Sequence, residues 1–243
     1  MSRTREKIKR SVAIRILWVL LSVTFIITAT HLLFQYLNLA VFYQQVGQFY
    51  ELSNRFDFDD ESSVPTWFSQ LLFLAIGVSA LFAAYLQKDK APRRLWSIIA
   101  GIGLVFSLDE ISGLHERVLQ SIHVLLFQDA GPTKLANAWW VVLPFVLIIC
   151  GWLIWQIARL LPTRTLFIFV LSGFVFLSGA VLIDLFTSVA SRETFLNQGV
   201  YVAIEETLEL IGTIIALYAI LDYLETNYHT TIANAIRQLK PKR

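Results

Sequence analysis

The sequence predicts an all-α protein that crosses a membrane as a polytopic bundle of six transmembrane helices, with both termini cytoplasmic. Three observations lead there. The first is composition: 56% of the 243 residues are hydrophobic and the formal net charge is only +2, with a mean hydropathy of +0.61. That is far more apolar than a soluble domain of this length. The second is a set of six apolar segments, each long enough at about 1.5 Å per residue to span roughly 30 Å of hydrocarbon. The third is the placement of basic residues, which recur in alternate connections.

The spans are expected near residues 13–38, 66–86, 95–124, 138–161, 165–190 and 198–224, forming one integral membrane domain over 1–243 with a basic cytoplasmic tail at 225–243. Punctuation between them fits helix boundaries: Pro65 precedes the second, Pro92 the third, Gly131 and Pro132 the fourth, and Pro162 the fifth. The first follows a basic stretch as a signal peptide would. It is too long for such a core and lacks a small-x-small cleavage site, so it reads as an uncleaved anchor.

MSRTREKIKR, QKDKAPRR, Arg159 with Arg164, and RQLKPKR carry the positive charge, and the positive-inside rule places them in the cytoplasm. NRFDFDDESS, FQDAGPTK and SRETFLNQ are acidic or nearly neutral and belong outside. Trp67, Trp139 and Trp140 then fall near the outer interface, and Trp96, Trp152 and Trp155 near the inner one, as an aromatic belt would. The sole cysteine, Cys150, lies in an apolar run, which leaves no internal disulfide or cysteine metal site and makes it a packing residue.

Two acidic runs break the apolar pattern. FSLDEISGLHERV supplies Asp109, Glu110, His115 and Glu116 to the third span, and YVAIEETLELIG supplies Glu205, Glu206 and Glu209 to the sixth. Ionisable groups inside a membrane are costly and mark candidate functional sites. Counted along helices, Asp109 lies roughly 20 Å and Glu116 roughly 30 Å up the third span, while Glu205 to Glu209 lie roughly 10 to 17 Å below the outer boundary. Asp184 on the fifth span and His31 on the first share that outer half. Asp109 and Glu116, seven apart, share a face of the third span. Glu205, Glu206 and Glu209 form one stripe continued by Gly212, Thr213 and Ala216; Thr24, Thr28, His31, Gln35 and Asn38 form another. Polar and small faces turn away from lipid, so spans one, three, five and six are expected to surround the site, with two and four as scaffold.

Neighbouring carboxylates in a desolvated space cannot all stay ionised without compensation. A divalent metal is the leading expectation: oxygens of Asp109, Glu116, Glu205 and Glu209 with nitrogen from His115 suit zinc, manganese or iron, with His31 and Asp184 as secondary members. Glu110 and Glu206 are then the spare carboxylates for general acid–base work in a hydrolase or lyase acting on a lipid-like or small-molecule substrate. Two other classes remain open: a proton- or cation-conducting transporter, and a structural or sensory subunit held by protonated acids. Bland readings also stand. His115, Glu116 and Arg117 fit a solvated span end, Asp184 a helix end, and His31 a packed histidine bonded to Gln35 or a carbonyl. Asp57, Asp59, Asp60 and Glu61 lack the glycine and spacing of a calcium loop and read as a solvated acidic loop. No nucleic-acid partner is expected; the partner is the lipid bilayer.

The DE-x4-HE motif of Asp109 to Glu116 and the later EE-x2-E motif of Glu205 to Glu209 resemble those of uncharacterised bacterial multi-spanning membrane proteins. The resemblance covers most of the chain and implies a multi-pass protein of the bacterial inner membrane in which these residues belong together; it supplies no activity. Membrane hydrolases of the ceramidase and progestin-receptor type carry His-x-x-x-His, which is missing here.

Overall fold

The computed structural model describes residues 11–40, 47–127, 135–183 and 195–239. In chain order the helices are α1 (Val12–Ala40), the short α2 (Gly47–Asn54), α3 (Val64–Leu86), α4 (Lys90–Ser112), α5 (Leu114–Phe127), α6 (Leu135–Leu160), α7 (Thr163–Leu177) with a π-helical continuation over Ser178–Ile183, and α8 (Phe195–Leu239). No strand occurs among the described residues. Six stretches are long and apolar enough to cross a membrane: Val12–Leu37, Val64–Leu86, Lys90–Ser112, Val142–Leu160, Thr163–Val181 and Gly199–Tyr228. The protein is an all-helical, multi-pass membrane bundle.

The hairpin of α3 and α4 is its most closely packed pair. Ser63 caps α3 by accepting the Thr66 N–H at 3.3 Å, and Pro65 in the first turn needs no intrahelical donor. Facing residues are small: Gly77, Ala80, Ala83 and Ala84 on α3, and Ala100, Gly103 and Ser107 on α4, are buried. A Cβ on Gly103 would lie 2.8 Å from the Gly77 nitrogen. Small residues let the two backbones meet, the main source of helix association where water exclusion contributes nothing.

α8 is the organising helix, packing against α1, α3, α7 and the π turn. The face of α1 carrying Thr24, Thr28 and His31 turns inward onto it: Thr24 and His31 are buried, and the Thr28 and Thr207 hydroxyls are 2.8 Å apart. Most of the buried core lies toward the end carrying the α3–α4 and α6–α7 connections, here called the basic end for Lys90, Arg94 and Arg159. Trp96, fully buried, meets Tyr223 and Phe169 at ring-centroid distances of 4.8 and 6.2 Å. Trp96 is thus a core residue and not part of an interfacial belt, because its side of α4 faces α8 and α7. Trp67 and Trp155 are exposed as expected.

The third span also departs from expectation. Instead of one helix over 95–124, α4 stops at Ser112, and Gly113 takes the left-handed conformation (φ 54°, ψ 33°) with its N–H on the Asp109 carbonyl. A glycine is the residue that closes a helix this way without strain. The shared face proposed for Asp109 and Glu116 needed an unbroken helix and is therefore lost; His115 and Glu116 begin a new helix, α5.

Candidate functional site

The end opposite the basic one gathers the acids, each by a local cause. Asp109 and Glu110 occupy the last turn of α4, half-buried, just before the Gly113 break. His115 and Glu116 stand in the first turn of α5. Glu61, which the sequence places in a solvated loop, comes to the same corner: a Cβ on Gly113 would be 2.5 Å from its Oε1. Glu61, Ser62, Thr66, Trp67 and Ile111 line a shallow cavity of about 400 Å³ there. Nothing in the spacing of Glu61 signals that approach; it follows from the loop crossing the end of α4.

Glu205, Glu206 and Glu209 are half-buried within the apolar stretch of α8, the first and last roughly 9 and 15 Å along it from Gly199. Their neighbour on span five is the π turn. At Gly179 a Cβ would lie 2.6 Å from the Glu205 carbonyl oxygen and 3.0 Å from Glu209 Cγ, so α8 seats directly on the π turn. Asp109, Glu110, Glu205, Glu206 and Glu209 all take part in interactions within the fold. Asp184 follows the π turn and lies outside the described residues.

An aromatic layer adjoins these acids toward the basic end. Phe106, one turn before Asp109 and Glu110, stacks on Phe73 of α3 at 5.3 Å, and both rings meet Phe176 of α7 at 6.5 and 6.3 Å. Phe176 presses on Gly212, one turn beyond Glu209, where a Cβ would be 2.7 Å from its Cβ. Ser172 ties the same two helices by donating to the Gly212 carbonyl at 2.8 Å. On both α4 and α8, therefore, the acids lie one turn to the same side of packed rings. α3, read from sequence as scaffold, supplies Phe73 to this layer and packs against both α4 and α8.

His31 has a different environment. Its Nε2 lies 3.3 Å from the Gly199 carbonyl, while Nδ1 lies 3.3 Å from both the Phe58 N–H and the Phe56 carbonyl and 3.5 Å from Asp57 Oδ1. With the proton on Nε2 the ring donates to Gly199 and accepts from Phe58, joining α1, α8 and the loop after α2. Asp60, in that loop, accepts from the Ser62 N–H and hydroxyl at 2.8 and 2.7 Å, bonds that hold its carboxyl below the usual carboxylate range.

Sequence reasoning overlooked two acids at the basic end. Asp222, buried on α8, accepts from Arg164 Nη2 at 2.8 Å. Glu225 caps α1, accepting the Val12 and Ala13 N–H groups at 3.2 Å each and bonding the Ser11 hydroxyl. Both sit close to the tail, where a carboxylate reads as ordinary surface; only the partner helix reveals their task.

Among the described residues no three His, Cys, Asp or Glu groups stand together as a metal site. Neither the curated proteins nor the solved structures contain a match. A family model matches residues 11–224, and the chain belongs to that family, the domain of unknown function DUF8692.

Proposed function

We propose that the acidic end is a cation site serving chemistry on a lipid-like substrate, in a protein of the bacterial plasma membrane with both termini cytoplasmic. The observation that carries this reading is the seating of Glu205 and Glu209 against the π turn of span five. Partly buried membrane carboxylates are costly unless used, and π turns inside helices recur at functional sites. In the specific form of the proposal, a divalent ion such as zinc, manganese or iron takes oxygens from Asp109, Glu205 and Glu209. His115 and Glu116, whose backbone begins α5 and whose side chains lie outside the described residues, are the further donors of the proposal. Glu110 and Glu206 would then move the proton during hydrolysis or elimination, and a metal held there would supply Lewis-acid polarisation of the substrate oxygen. The aromatic layer of Phe73, Phe106 and Phe176 favours a closed site over a conducting route, since a hydrated ion would have to part packed rings.

Elemental analysis of protein purified without chelator, beside an Asp109→Asn, Glu209→Gln double variant, tests this. Stoichiometric divalent metal in the wild type and its loss in the variant is the expected result. A metal-free wild type sinks the metal reading. Proton or cation flux in reconstituted vesicles, abolished by the same substitutions, would transfer the site to transport.

A further inference from the structure

We infer that the opposite, basic end of the bundle holds an anionic phospholipid in the seam between α4 and α6. A cavity of about 530 Å³ opens there, within the usual range for a small-molecule site, and Lys90, Arg94, Gln156 and Arg159 line it together with Ile98 and Trp152. The three cations come from two helices and converge on one mouth. No carboxylate among the described residues pairs with any of them, whereas nearby Arg93 is occupied by the Gln87 carbonyl at 2.7 Å and Arg164 by Asp222. Arg159 is steadied over the Trp155 ring at 4.6 Å, which orients its guanidinium without neutralising it.

The chemistry that satisfies such a cluster is a phosphate: guanidinium forks bind its oxygens in pairs, and Lys90 adds a point charge. A lipid, and not a free anion, follows from what lies beside the charges. Ile98 provides an apolar wall, and one turn further Gly101 has nothing within 4 Å of where a Cβ would sit, so the seam stays open along α4 for an acyl chain. Of the described apolar stretches that of α6 is the least covered, with 6% of it buried by protein. Trp152 supplies the amphipathic ring suited to the glycerol level. Basic pockets between membrane helices on the cytoplasmic side are matched to anionic head groups, and the positive-inside rule places this end there.

Native mass spectrometry of the full chain in mild detergent, titrated separately with phosphatidylglycerol, phosphatidylcholine and inorganic phosphate, provides the test. Phosphatidylglycerol should be retained preferentially, and Arg94→Gln and Arg159→Gln should each weaken retention roughly fivefold. An Arg94→Lys, Arg159→Lys variant should keep most of the charge-dependent binding, and Lys88→Gln, a cation of the same connection outside the cavity, should change nothing. Equal retention of the two lipids, equal loss in the Lys88 variant, or phosphate alone displacing the lipid would each overturn the assignment.

Discussion

The two ends of this bundle are built by opposite means. At the basic end, apart from the cations of the α4–α6 cavity, polar groups are matched in pairs: Arg164 with Asp222, Glu225 with the start of α1, and Gln87 with both the Ala83 carbonyl and the Tyr223 hydroxyl at 3.2 and 3.1 Å. Trp96 and its ring neighbours fill the space between them. At the acidic end like charges are collected, α4 breaks at Gly113, and span five loosens into a π turn. Matched polar pairs inside a membrane hold helices together, while carboxylates within an apolar stretch are costly and mark candidate sites. The matched pairs and packed rings assign stability to the basic end, and the proposed cation site falls at the other, joined to it by the close-packed α3–α4 hairpin.

The strongest way to break that division is to compare losses of stability. Trp96→Ala should cost about 3 kcal/mol or more, from the cavity left among α4, α7 and α8. Thermal unfolding in detergent measures it. Glu209→Gln should lower the same transition far less in metal-free protein, since the acid is only half-buried and an amide of the same shape fills its space; a loss as large as that of the tryptophan variant would make the acidic end structural. Of intermediate size, Glu225→Ala should cost about 1 kcal/mol by uncapping α1, with hydrogen exchange quickened at Val12 and Ala13.

The smallest effect sharpens the picture of the His31 loop. Asp60 has its folded pKa below the ordinary 3.8, so its contribution is complete above that pH and is lost as pH falls through the folded value. Asp60→Asn should abolish this acid sensitivity and leave stability at neutral pH lowered only slightly, because the group is exposed. Acid titration of the melting temperature, with and without the substitution, is the check.

The spans were legible because a membrane demands long apolar helices, and composition and length alone report those. The inward turn of α1 was legible too: Thr24, Thr28 and His31 recur at helical spacing, and the structure buries that face on α8. Less was readable where one residue changes the path. ISGLHE continues a helical pattern in sequence, yet Gly113 takes a left-handed turn and splits the run. Trp96 looked interfacial because its depth was known and its partners were not. Glu61 and Glu225 were invisible as participants, since a carboxylate in a loop or near a tail carries no mark of the helix it will meet.

The amino-acid sequence by itself determined that this protein is a six-span helical bundle, which residues are too polar to face lipid, and which connections are basic. Those properties depend on local composition and period. Only the tertiary structure decided that α3 lies against both α4 and α8, that the π turn receives Glu205 and Glu209, and that Lys90, Arg94 and Arg159 share one cavity. Each of these depends on which helices become neighbours, a choice made by small residues and shape over long separations along the chain, where no sequence period reaches.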